Sequence, residues 1–340
     1  MLIHREGLID WSSSLAIRVL ICVVPLLLLG CSEPAPDPKT QEPAVAKTPP
    51  PDFILDSDAV WETVAQGYVY SDAPAVTPEG DIYYSANTQN RILHLTVDDQ
   101  VELFDENTAL TMGLMFGSDG RLYGCRNLDA QIVAYDMQGG REVLLQGELS
   151  PLENNPDAPG EFCNDLVVSS KGQIWFTDRE NRGVKYLNAA GEAVRVTKGF
   201  RPNGLALSAD ETLLAVTDSL HPRMRAFDIA ADGSLTERAD FFAPINAVTT
   251  VGKEESARGR PGTNGMTVDS DGRFYVTSYY GIQIFDANGA YVGAIESPAF
   301  FTSNIAFGGA DFSVLYATGL NGLYRIQTKV TGAPYFLRAD

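Results

Sequence analysis

One pattern recurs six times along this chain, and it leaves few folds open. From residue 53 onward, a small polar residue, a short apolar run, a turn and a β-rich run follow one another. The copies read DAPAVTPEGDIYYSA, MGLMFGSDGRLYGC, NDLVVSSKGQIWFTD, NGLALSADETLLAVTD, NGMTVDSDGRFYVTS and NIAFGGADFSVLYAT. They start at Asp72, Met112, Asn164, Asn203, Asn264 and Asn304, and each is followed by a second strand such as RILHL, QIVAYD or GIQIFD. A glycine after Glu, Asp or Lys at a fixed offset in four copies marks a hairpin turn. No amphipathic helical stretch interrupts them. Starts spaced about 40 to 60 residues apart, each holding several short strands, predict propeller blades. One blade cannot cover both faces of its sheet, so the expected fold is all-β: a closed, six-bladed β-propeller. A pair of β-sandwiches would not need six aligned copies, and a solenoid would need atypical capping repeats. Residues 53–67, with FILDSDAVWETVAQ, precede the first copy and are expected to add an outer strand to the sixth blade.

The first 31 residues read as a targeting segment. Arg5 and Arg18 supply positive charge, and the run VLICVVPLLLLGC is too short to span a bilayer comfortably. Leu28-Leu29-Gly30-Cys31 resembles the lipobox of bacterial lipoproteins. That implies lipidation at Cys31 and an exported, membrane-anchored protein facing the periplasm or the cell exterior. Residues 32–52 are Pro-rich and nearly free of large apolar groups, so they read as an extended tether, which leaves 53–340 for the propeller. Export permits a disulfide between Cys125 and Cys163 if their Cα atoms lie within about 7 Å, and the sequence leaves that pairing open. The net charge of −19 argues against a nucleic-acid partner, and no obligate protein partner is evident.

In a propeller, equivalent residues of each blade sit at equivalent positions around one axis. Five of the six first positions, Asp72, Asn164, Asn203, Asn264 and Asn304, carry a side-chain oxygen. If they begin the innermost strands, these oxygens converge at one mouth of the channel. A ring of hard donors with a carboxylate suits calcium or magnesium. Asn-Gly and Asn-Asp are also turn dipeptides that satisfy local backbone groups, but five polar residues in register favour the ring.

The stretches NDLVVSSKGQIWFTD, GFRPNGLALSADETLLAVTDS, NGMTVDSDGRFYV…GIQIFD and SNIAFGGADFSVLYAT…GLYRI are similar to the regucalcin (senescence marker protein), gluconolactonase and luciferin-regenerating enzyme family of six-bladed propellers. The resemblance runs from about residue 70 to 326. It implies one divalent cation, calcium first, at the channel mouth, and hydrolysis of a lactone or related ester. Carried over by position, the metal ligands are Asp72, where the family tends to have Glu, Asn164, Asn203, and Asn264, where the family has Asp. Asn264 also stands at the position of the family's base, and an amide cannot take a proton at neutral pH.

Another base is then needed, and Asp165, Asp178 and Asp218 lie near this end of their strands. Asp72, Asn264 and Asp218 are the expected catalytic positions, and Asn164, Arg201 and Tyr280 the expected substrate contacts. Phe162, Cys163 and Arg260 are expected in a wall built by two insertions, GELSPLENNPDAPGEFC before Asn164 and VGKEESARGRPGT before Asn264. There is no G-x-S-x-G elbow, zinc-type Cys/His spacing or nucleotide-binding glycine loop. His94 reads as a packing or surface residue, whereas His221, after a strand end, can reach the mouth. The expected activity is a divalent-metal-dependent lactone or ester hydrolase. Its alternative is a non-catalytic, envelope-tethered propeller that binds a small ligand or partner protein.

Overall fold

The computed structural model describes residues 48–149, 151–152, 155–246 and 262–333. The targeting segment with Cys31, most of the tether, and Arg260 with most of the second insertion lie outside the described residues. Six sheets follow the six copies. Each of the first five has four antiparallel strands in chain order. Blade 1 runs Asp72–Val76, Ile82–Ala86, Arg91–Leu95 and Val101–Asp105. Blade 2 begins at Thr111–Phe116, blade 3 at Leu166–Val168, blade 4 at Pro202–Leu207, blade 5 at Met266–Val268 and blade 6 at Thr302–Gly308. These first strands touch one another around a full circle, from blade 1 through blade 6 and back to blade 1, and line the central channel.

Alternation along a strand explains why the blades need one another. Successive side chains point to opposite faces. Tyr83 therefore packs with Leu114 and Phe116 of blade 2, while its neighbour Tyr84 packs with Tyr316 and Leu323 of blade 6. Trp175 joins Leu205 and Leu207 of blade 4, and Phe176 joins Cys125 and Ile132 of blade 2. Phe274 and Tyr275 part in the same way towards blades 4 and 6. The core is thus six separate apolar seams, one between each pair of neighbours.

A second device staples blades 1, 2, 4 and 5 to the blade that follows. The position filled by Ser85, Cys125, Thr177, Thr217, Thr277 and Thr318 recurs near the end of each second strand. The Ser85 hydroxyl donates to Thr111 O at 2.6 Å, Thr217 to Asn264 O at 3.1 Å and Thr277 to Ser303 O at 3.2 Å, each time on the next blade. In blade 2 the same position makes the link covalently. Cys125 and Cys163 form a disulfide with their Cα atoms 5.4 Å apart, which answers the pairing that the sequence left open.

The ring is closed by both ends of the chain. Val314–Gln327 doubles back on itself at Asn321 (φ 71°), since Thr328 N–H donates to Ser313 O at 2.9 Å. The strand Glu62–Tyr70 adds to its outer side, so the N-terminal segment supplies the outermost strand of blade 6 as expected, though shifted to residues 62–70. Ser71 fastens the seam: its hydroxyl donates to Gly322 O at 2.7 Å and to Gly319 O at 3.1 Å, and Ser303 Oγ donates to Ser71 O at 2.8 Å. Gly332 and Ala333 reach the channel at the far ends of the inner strands, with Ala333 N–H donating to Val268 O at 3.1 Å. Ser71→Ala should cost about 1–3 kcal/mol in urea unfolding, because Gly322 O loses this donor at a buried seam, while Gly319 O keeps the Ser71 N–H. A loss below about 0.5 kcal/mol would show that closure does not depend on this hydroxyl.

Candidate functional site

The polar positions at the head of each repeat lie within two residues of the start of the inner strands. The glycines after Met112, Asn203 and Asn264 are not turn residues. Gly265 N–H donates to Ser303 O of the next blade at 2.8 Å, and a Cβ on Gly265 would collide with the Asn304 amide. A Cβ on Gly204 would collide with the Asn264 carbonyl, and one on Gly113 with the Asp165 backbone. Glycine is needed here because neighbouring inner strands approach too closely for a side chain. The Asn-Gly pairs therefore belong to the ring and not to hairpins.

Two buried carboxylates lie at this end, near enough for the charge of Asp72 to act on Asp165. Asp72 Oδ1 accepts from Ala73 N–H at 2.8 Å, and Oδ2 accepts from the Tyr70 hydroxyl at 3.0 Å. Burial pushes the Asp72 carboxyl up to about 6 despite these donors. Ala73 holds φ +52°, a left-handed conformation that a residue with a Cβ adopts at a cost. Asp165 Oδ1 accepts from Leu166 N–H at 2.9 Å and Oδ2 from Asn304 Nδ2 at 3.4 Å. Burial, followed by the charge of Asp72, pushes Asp165 up to about 8. Among the described residues no basic side chain is a main influence on either carboxyl. Apart from Asp165, Asn304 and Thr267, the channel below is lined by apolar residues of all six inner strands.

The amides complete the arrangement. Asn203 Oδ1 is buried and accepts no hydrogen bond. Asn164 Nδ2 donates to Glu161 Oε2 at 3.1 Å, which turns its oxygen away from Glu161. Glu161 is itself gripped by Arg179, whose Nη1 lies 2.9 and 3.1 Å from its two oxygens. Asn127 holds the approach to Asn164: its Oδ1 accepts from Phe162 N–H at 2.8 Å and Cys163 N–H at 3.2 Å, and its Nδ2 donates to Cys163 O at 2.9 Å. Among the described residues no trio of His, Cys, Asp or Glu converges, so any cation here would depend on amide oxygens as well as carboxylates.

The family model for the SMP-30/gluconolactonase/LRE-like region matches residues 112–321. The chain belongs to that family. A gluconolactonase of Zymomonas mobilis is 26% identical over 316 residues, covering 83% of this chain and 85% of its own. The structure of a gluconolactonase from Xanthomonas campestris superposes with a TM-score of 0.65 at 25% identity, covering 84% of this chain and 98% of that one. A calcium-binding regucalcin from Agrobacterium tumefaciens shares the fold, with a TM-score of 0.63 at 17% identity over 81% of this chain and 95% of its own.

Within this SMP-30/gluconolactonase-like propeller, the sequence-predicted residues fare differently. Asp72, Asn164, Asn203 and Asn264 stand at equivalent places on blades 1, 3, 4 and 5 of one mouth. Asp218 is fully buried behind His221, which it meets at 2.9 Å, with Arg223 and Arg225 each 3.8 Å away, so it acts on this mouth only through the imidazole. Asp178 is spent on Lys185 at 2.6 Å and on the Asn181 amide. Arg201 pairs with Glu180 at 3.0 Å. Phe162 lies in the seam between blades 2 and 3, and Tyr280 turns its hydroxyl to the Thr48 backbone at the outside of blade 5. Its neighbour Tyr279 takes the mouth instead, against Phe301. Glu161, Arg179 and Tyr70 were not singled out from the sequence. Glu161, three residues before Asn164, left only its spacing as a signal.

In chelator, the folded protein keeps a proton on Asp165 that the unfolded chain releases near the ordinary carboxylate range. Stability should therefore fall as pH rises from about 4 to about 8. Calorimetry at pH 5, 6.5 and 8 should show this fall in the parent and a flatter course in Asp165→Asn, with the variant the more stable at pH 8. A parent whose midpoint climbs over this window would contradict the arrangement.

Proposed function

We propose that this protein is a divalent-metal-dependent hydrolase of a lactone or related ester, with the cation, calcium first, at the open mouth of the propeller. Asp72, Asn164, Asn203 and Asn264 would hold it. The reading rests above all on one observation: among the described residues Asp72 and Asp165 are buried without a cationic partner, at the same mouth as an amide oxygen, Asn203 Oδ1, that accepts no hydrogen bond. Buried charge and a buried acceptor are costly unless compensated, and a hard cation compensates both. The relatives named gluconolactonase favour a lactone as substrate. When bound, a divalent cation supplies polarisation of the substrate carbonyl.

The chain's own residues do the rest. Glu161, held by Arg179, fixes the orientation of the Asn164 amide, and outer partners of this kind are worth about 10- to 100-fold in metal affinity. Tyr70 fixes the Asp72 carboxylate through its hydroxyl. Asn264 contributes an oxygen but accepts no proton. His221 can, because Asp218 takes up Nδ1 and leaves Nε2 for the proton of an attacking water. Its side chain is half exposed, at a turn tied to Arg201 O by Ser219 N–H at 2.9 Å. The envelope anchor at Cys31 is part of the same proposal and places the site outside the cytoplasm. Cleavage of residues 1–30 with a lipid mass on Cys31, read by mass spectrometry of the membrane fraction, would support it, and an unmodified Cys31 would refute it.

Aldonolactones and simple esters assayed with calcium and with chelator should show turnover only with metal. Asp72→Ala should lower kcat/KM by about 100-fold or more and weaken calcium binding in titration calorimetry. Asn264→Asp, which restores a second carboxylate to the ligand set, should tighten calcium binding by about tenfold or more. Undiminished turnover in chelator, or in Asp72→Ala, would sink the metal-centred mechanism. No turnover with any cation would favour the binding scaffold.

A further inference from the structure

The mouth has two unlike sides. On blades 3 and 4 it is charged, with Glu161–Arg179 at 2.9 Å, Arg201–Glu180 at 3.0 Å and His221–Asp218 at 2.9 Å. Further round the ring, on blades 5 and 6, four aromatic side chains form one continuous run. Tyr70, bonded to Asp72, stacks on Phe301 with ring centroids 6.3 Å apart. Phe301 lies 6.0 Å from Tyr279, and Tyr279 stacks on Phe300 at 6.2 Å. The run starts at a buried carboxylate of the site and ends at Phe300, which is 54% exposed. It meets the ring a second time, because Gly262, two residues before Asn264, lies so close to the Tyr279 ring that a Cβ there would collide with it.

The fold does not account for this run. None of the four rings belongs to the six seams that hold the blades together. A phenylalanine left open beside a polar ring is a surface in want of an apolar partner. We infer that it receives an apolar arm of the substrate, so that the preferred lactone carries an aryl or alkyl substituent while its ring oxygens face the charged side. A polyhydroxylated lactone would need donors and acceptors along this wall, and its Phe300 and Phe301 rings offer none beside the hydroxyls of Tyr70, already bonded to Asp72, and Tyr279. The inference rests on the hydrolase reading for the identity of the reacting group, but the binding of the arm does not.

Ring amides, which resist opening, separate the two. Calorimetry with calcium present should find γ-phenyl-γ-butyrolactam bound at least about tenfold more tightly than unsubstituted γ-butyrolactam. Phe300→Ala, at an exposed position where folding is not at stake, should reduce that preference about threefold or more and leave the unsubstituted lactam unaffected. Equal affinity for both lactams, no binding of the phenyl lactam at millimolar concentration, or a preference unchanged in Phe300→Ala overturns the inference. A preference that appears in a protein opening no lactone would leave this wall standing and remove the hydrolase reading. Turnover of small lactones without any gain from a phenyl arm would do the reverse.

Discussion

Everything in this molecule follows from strands that are apolar on both faces. Tyr83 and Tyr84, or Phe274 and Tyr275, are adjacent in the chain but belong to different seams. A sheet of this kind has no solvent face along its middle strands and finds relief only between two neighbours. Six such sheets satisfy one another when the last meets the first. The staples from Ser85, Thr217 and Thr277 then hold adjacent inner strands together, and the glycines at 113, 204 and 265 let them come that close. The convergence of side chains at the mouth is a by-product of this packing. Residues that start equivalent strands have no freedom to be anywhere else.

That explains what was legible in advance. Repeat register alone located Asp72, Asn164, Asn203, Asn264 and Asn304 at one end, because a repeat fixes position around an axis and strand alternation fixes facing. It also anticipated that a segment before the first repeat would complete the sixth blade. Register does not govern the turns. Tyr279 and Tyr280 are adjacent in a tight connection where period-two alternation has lapsed, and which ring faces the mouth depends on Phe301 and Thr48, far away in sequence. Partner choice was equally hidden. Asp178 and Asp218 sit at matching strand ends, yet Lys185 and Asn181 claim one while His221 and Arg225 surround the other. Glu161 comes from the insertion before Asn164, which is not part of the shared repeat, so its role could not be read from repeat register.

The site also shows how a repeat architecture acquires direction. The inner strands form a nearly symmetric channel, but what surrounds its mouth is not symmetric. Charged pairs gather on blades 3 and 4, aromatic rings on blades 5 and 6, and the disulfide ties the segment leading to Asn164 to blade 2. Six similar blades can thus present a polar floor that is shared and a rim that differs by sector. A ligand entering such a mouth is oriented by the rim before it reaches the floor.

Ring closure by Glu62–Tyr70 has a consequence for the life of the chain before it is folded. Ser71 meets Gly319 and Gly322 across 248 and 251 residues, so the first strand to be made has to wait for the last. Until then, blade 6 lacks its outer strand, and blades 1 and 6 each show one unpartnered apolar face. Contacts this distant in sequence form slowly, and open strand edges invite pairing with other molecules. The long hydrogen-bonded seam that makes the finished ring hard to open therefore makes the unfinished one the most aggregation-exposed state this protein passes through.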